Sequence, residues 1–154
     1  MALDKDLVFQ KCKLILADVD HIRELLQRSP YEEFVTDPVA GTLAERYLER
    51  IVNRAIDVNF HLIRAEGKPP PDDYTDSFLA LGRFGIIDAS VARSVAPSAG
   101  VRNILMHEYD DLDTKKFYTS LENAVKHFPA YVRSVTDFIE KPGGRAARNS
   151  TGKT

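Results

Sequence analysis

Three runs of apolar residues at helical spacing constrain this chain more than any other feature in it. Val8, Cys12, Ile15, Val19, Ile22 and Leu26 step by 4, 3, 4, 3 and 4. Leu48, Ile51, Ala55, Val58 and Leu62 repeat the step, and Phe117, Leu121, Ala124, Phe128, Tyr131, Val135 and Phe138 repeat it again. Such spacing stacks side chains on one side of a helix and cannot line one face of a strand. Tyr47, Val52, Ile56, Phe60 and Ile63 widen the middle stripe, so that helix is expected at the centre with neighbours on two sides. No segment sustains a period of two. The expected fold is all-α, an antiparallel bundle of four to five helices.

Punctuation between the stripes sets the expected boundaries. Ser29 and Pro30 read as the N-cap and first residue of a short helix, and the central helix is expected to begin after "TDPVAGT" and run to about Ala65. Gly67 supplies a stop, and "KPPPDD" a stiff exposed connector. Asp72 or Asp73 can cap a helix through "YTDSFLALGRF", Asp88 a short one over "ASVARSV", and Asp113 the last. Pro97-Ser98 restarts a helix between the last two. Pro129 lies inside the final stripe and is expected to kink it. The basic, Gly-rich "KPGGRAARNSTGKT" shows no apolar pattern, which divides the chain into a helical domain over 1–140 and a mobile tail over 141–154.

Charge narrows the function. With 21 lysines and arginines against 23 acids, the chain has no global positive field, so any contact with nucleic acid needs a local cluster. One cysteine, Cys12, excludes a disulfide framework and Cys-rich zinc sites. The start "MALDKDLVFQ" is acidic where a signal peptide is basic, and no stretch approaches the roughly 18–20 apolar residues of a membrane span. A soluble cytoplasmic protein is expected.

Against that background, "RNILMHEY" (Arg102 to Tyr109) carries more chemistry than packing needs. On an ideal helix with Arg102 at zero, Asn103 lies at about 100°, His107 at about 140° and Tyr109 at about −20°. Val101, Ile104 and Leu105 fall on the opposite side and are expected in the core. Asn103 and His107 are i, i+4 neighbours, close enough for the amide to orient the imidazole. Histidine moves protons near neutral pH, and arginine pairs with phosphate and stabilises developing charge. Together they suit phosphodiester cleavage without a metal. One helix supplies one histidine, so a symmetric dimer would double the groups and concentrate positive charge. The plainer reading of such residues is capping of a helix end.

The spacing of Arg102, His107 and Tyr109 resembles the R-x4-H-x-Y signature of HepT-type toxins, helical ribonucleases of the HEPN superfamily. "RYLERIVNRAIDVNFHLI", "DDYTDSFLALGRFGII" and "VRNILMHEYDDLD" resemble three blocks of that family in order, and the resemblance runs from the first long helix to about Glu140. It implies a metal-independent endoribonuclease toxin, without cofactor, acting on tRNA or mRNA as a homodimer or higher oligomer. Arg102 and His107 would be the catalytic pair and Asn103 a supporting residue. Tyr109 would be the residue to which an MNT-type minimal nucleotidyltransferase antitoxin transfers AMP.

Other features read as structural. Asp110, Asp111 and Asp113 could attract Mg²⁺, but acids at a turn more often cap the next helix. Glu45 and Glu49 alternate with Arg46 and Arg50, as on a solvated or interface face. His21, His61 and His127 are scattered over different helices. Lys68 reads as an ordinary loop lysine, and Arg145, Arg148 and Lys153 of the tail offer diffuse RNA affinity at most. Two competing functions stand beside the nuclease: a non-catalytic HEPN-like module binding nucleotide or a nucleotidyltransferase partner, and a helical interaction protein.

Overall fold

The computed structural model describes residues 2–107, 110 and 112–141. Within them the chain forms α1 (Lys5–Arg28), α2 (Tyr31–Phe34), α3 (Pro38–Ala65), α4 (Tyr74–Arg83), α5 (Ala89–Val95), α6 (Ser98–His107) and α7 (Thr114–Glu140). Five of these have ten residues or more and make the expected all-α bundle; α2 and α5 are short connecting helices. Tyr109, Asp111, Arg145, Arg148 and Lys153 lie outside the described residues.

Each long helix buries its stripe. Val8, Cys12, Ile15, Val19 and Ile22 of α1 meet Leu48, Ile51, Val58 and Leu62 of α3 and the α7 series from Phe117 to Phe138 in one core. At the end of α1 the buried residue is Leu25, while Leu26 packs against the core only partly buried. α3 packs against α1, α4, α6 and α7, the central place its wide apolar face requires. The helical assignment of α7 is continuous through Pro129.

α1 and α3 run antiparallel, and their polar contacts fix the register. The Asp4 amide donates to His61 Nε2 (2.9 Å), Lys11 Nζ reaches Asp57 (3.1 Å), and His21 stacks on Tyr47 with ring centroids 4.8 Å apart. Midway, the buried Asp18 carboxylate places Oδ2 3.1 Å from Arg50 Nε and 2.7 Å from Arg54 Nη1, while Oδ1 has no hydrogen-bond partner. Arg50 therefore belongs to a buried-carboxylate cluster and not to a free solvated face. The Arg46–Glu49 pair (3.3 Å) does lie toward solvent.

Two boundaries differ from expectation. Ser29 ends α1, and Pro30 occupies the N-cap of α2. The central helix starts at Pro38, because Asp37 accepts from the amides of Val39 and Ala40 (3.0 and 3.2 Å) and proline suits a first helical position. The other caps fall where the aspartates predict: Asp73, Asp88 and Asp113 accept from Asp76, Ser90 and Lys116 amides. Gly67 and Gly85 turn the chain at φ +69° and +71°, a region that other residues avoid.

Candidate active site

α6 is ten residues long and holds Arg102 to His107 of the segment singled out in the sequence. Leu105 and Ala99 are buried, which seats the helix, but Val101 and Ile104 are only half-buried, a departure from the expected core, with Val101 still packed against it. α6 meets α3, α4 and α7 on restricted contacts, so its apolar arc is narrower than the three-residue set implied. Arg102 is half-buried, while Asn103 and His107 are exposed, His107 as the last residue of the helix.

Arg102 is held by residues the sequence did not mark. Its Nε donates to Asn53 Oδ1 of α3 at 2.6 Å, and its guanidinium carbon lies 5.0 Å from the centre of the Tyr74 ring of α4. Nη1 donates to Asn103 Oδ1 at 3.2 Å. An arginine carries five N–H donors, so the contacts to Asn53 and Asn103 leave both on Nη2 and one on Nη1 for an anion. A planar cation fixed at one edge and stacked on a ring is oriented before any ligand arrives, which is what tight phosphate recognition requires.

Asn103 therefore supports Arg102 and not His107: its amide oxygen is the acceptor for the guanidinium, and no hydrogen bond joins it to the imidazole. Arg102 and His107 share α6 but diverge by about 140° around the axis and about 7.5 Å along it.

The platform beneath Arg102 is anchored in the core. Tyr131 of α7 donates its hydroxyl to Asn59 Oδ1 (2.5 Å), Asn59 Nδ2 donates to Ser77 Oγ (3.0 Å), and Ser77 Oγ donates to the Tyr74 carbonyl (2.6 Å). Asn59, Ser77 and Tyr131 are fully buried. Burial holds the Tyr131 phenol well above its usual range, with a smaller contribution from Cys12, so it stays a donor. A satisfied buried network of this kind rigidifies what it joins. Here it joins α3, α4 and α7 beneath the Arg102 guanidinium.

Of the remaining candidates, Asp113 is spent on capping α7, Asp110 is exposed, and Asp111 lies outside the described residues. No group of three or more His, Cys, Asp or Glu among the described residues could hold a metal ion. No helix among them is long and apolar enough to cross a membrane. His61 and His21 serve the α1–α3 packing described above.

The ribonuclease HepT-like family matches residues 15–135. The chain belongs to that family. A tRNA nuclease HepT of Aphanizomenon flos-aquae is 28% identical over 129 residues, 84% of this chain and 87% of its own length. Among solved structures, the tri-AMPylated Shewanella oneidensis HEPN toxin in complex with MNT antitoxin superposes with a TM-score of 0.78 at 19% identity, covering 87% of this chain and 99% of that one. A toxin-antitoxin structure with AMP-PNP gives the same score and identity over 86% and 99%. At these identities the structures establish the shared HEPN fold. With membership in the HepT-like family comes the activity class, ribonuclease, in agreement with the resemblance carried by the three sequence blocks.

Proposed function

We propose that this chain is a metal-independent endoribonuclease toxin, cleaving RNA with Arg102 and His107 and silenced by AMP transfer to Tyr109. The observation that carries the reading is the Asn53–Arg102 bond of 2.6 Å over the Tyr74 ring, which prepares a guanidinium for phosphate on the same helix as an exposed histidine. In the reaction, a ribose 2′-oxygen attacks the adjacent phosphorus and the 5′-oxygen leaves, so one proton is removed and one supplied. Arg102 offsets the charge that gathers on the phosphoryl oxygens. Because Arg102 and His107 diverge on α6, a two-fold dimer serves the chemistry better than one chain: two imidazoles act as base and acid, and two guanidiniums build the positive cleft that a −2 chain otherwise lacks. The unit that does this is the helical domain over 1–140, with the 141–154 tail outside it.

The partner is an MNT-type nucleotidyltransferase, the antitoxin in the Shewanella complex. The Tyr109 hydroxyl attacks the α-phosphorus of ATP, pyrophosphate leaves, and the tyrosyl-AMP adds bulk and negative charge two positions after His107 in the chain.

The test is incubation of the purified chain with labelled tRNA and mRNA fragments in EDTA. Cleavage to fragments ending in cyclic phosphate is expected, and an absolute requirement for Mg²⁺ would overturn the mechanism. Mass spectrometry after incubation with ATP and the nucleotidyltransferase should show AMP-sized additions to the wild type and none to Tyr109→Phe. A modified and silenced Tyr109→Phe would place the acceptor elsewhere.

A further inference from the structure

We propose that the cleft between the C-terminal end of α3 and the proline turn after it is a second nucleotide subsite, holding a base and phosphate of the same single-stranded RNA whose scissile phosphate meets Arg102. The inference rests on the ribonuclease reading for its ligand, and on its own geometry for its place. Phe60, Ile63, Arg64, Lys68, Pro70 and Pro71 line a cleft of about 300 Å³. That lies at the small end of ligand sites and is matched to one nucleotide, not to a folded partner.

The cleft is aligned with the candidate active site. Asn53, Asp57, Phe60 and Arg64 stand at i, i+4, i+7 and i+11 on α3, a single line along one face. Phe60 is about 10 Å and Arg64 about 16 Å along the axis from Asn53, the residue that fixes Arg102. The rings continue the path across the surface: Tyr74 lies 5.0 Å under the Arg102 guanidinium and 6.2 Å from Phe60, edge to face. Asp57, the one acid on the line, is paired with Lys11 of α1 at 3.1 Å, so its charge is offset.

The lining has the two components that recognise single-stranded nucleic acid, a stacking surface and cations beside it. Phe60 is half-buried and backed by the core, and the prolines give a stiff apolar wall that loses little freedom on binding. Among the described residues the Arg64 side chain makes no ion pair or hydrogen bond, and the Lys68 ammonium lies over the Phe84 ring, 5.4 Å from its centre. Asp76 pairs with Arg83 at 2.7 Å, and Asp73 caps α4 through the Asp76 amide; no acid is among the residues that line the cleft. Arg64 in the last turn of α3 also suits the helix dipole. A dipole role explains neither the ring nor the alignment with Arg102.

Fluorescence anisotropy with a 2′-O-methyl hexanucleotide, which cannot be cleaved, tests the subsite without relying on activity. The doubly substituted Arg64→Ala, Lys68→Ala protein should bind about tenfold more weakly, and its plot of log affinity against log salt should be shallower by about 1.4, the share of two phosphate contacts on a single strand. Phe60→Leu, checked for fold by circular dichroism, should lose about tenfold with the slope unchanged. A dinucleotide should show neither change. Identical affinity and slope in the double variant would overturn the subsite. Cleavage separates the two readings: wild-type cleavage of a ribo-hexanucleotide with KM unchanged in the double variant removes the subsite and leaves the nuclease. Expected binding losses with no wild-type cleavage of any RNA remove the nuclease and leave a nucleic-acid surface.

Discussion

Asn53 and Arg102 stand 49 positions apart in the chain, and the amide oxygen of the first accepts from Nε of the second at 2.6 Å. This bond ties the short helix α6 to the central helix of the bundle. It also turns a flexible cation into a fixed one.

Asn53→Ala should therefore weaken catalysis while sparing the fold. A hydrogen bond to a charged group contributes about 1.5–3 kcal/mol, so kcat/KM on RNA is expected to fall roughly 10- to 100-fold. Asn53→Asp keeps the acceptor but neutralises the guanidinium, and its loss should appear mainly in KM. Steady-state kinetics on an oligoribonucleotide check both; an Asn53→Ala enzyme at wild-type rate would show that Arg102 needs no anchor.

His107→Ala should lower cleavage by about 10²–10⁴-fold, the usual worth of a positioned acid or base. Because the side chain is exposed at the end of α6, stability should change by no more than about 0.5 kcal/mol. Parallel urea titration and single-turnover cleavage separate the two effects. A stable variant with full activity would remove His107 from the mechanism.

Tyr131→Phe should be a stability variant. It leaves Asn59 Oδ1 buried without its 2.5 Å donor, at a cost of about 1–3 kcal/mol, read as a lower urea midpoint with an unchanged slope. Since the same network holds the Tyr74 carbonyl, activity should fall as well, though far less than in His107→Ala. An unchanged midpoint would mean that water replaces the phenol.

Cys12 offers a pH prediction. Burial pushes its thiol up to about 11, against 9.0 for an ordinary thiol, so the folded protein keeps it protonated. The raised value contributes stability that is complete below about pH 9 and is lost as pH rises through about 11. Cys12→Ser at alkaline pH should flatten that loss in denaturant titrations. At neutral pH a thiol reagent should label Cys12 only at the rate of unfolding, and fast labelling of native protein would contradict the burial.

How far these features were legible follows from their range. The stripes of α1, α3 and α7 and the caps at Asp73, Asp88 and Asp113 are local, and each is set by a few residues of spacing. Asp37 was missed because Gly41 and Thr42 suggest a loop, whereas a cap and a proline in the first turn outweigh one glycine. Arg102 and His107 were visible as chemistry on a short helix. Asn53 and Tyr74 were not, since on their own helices they look like any polar or aromatic residue off the apolar stripe; only the packing of α6 across α3 and α4 gives them a task. Asn103 was assigned to the wrong neighbour for a related reason: i, i+4 spacing permits contact with His107, but the adjacent guanidinium is the stronger donor. Lys68 looked idle because the ring beside it comes from Phe84, sixteen positions on.

The carboxylate of Asp18 governs a choice that neither activity nor melting would report. Apolar seams with a heptad step can mate in several offsets, all burying similar area. Shifted by seven residues one way, Asp18 would face Leu43 and Tyr47; shifted the other way, Asp57 and His61, in place of Arg50 and Arg54. In neither offset does the buried charge meet two guanidiniums, and an uncompensated buried charge costs several kcal/mol. Among these heptad offsets, one acid set against two arginines thus selects the observed alignment of α1 on α3, and with it the place where Asn53 waits for Arg102.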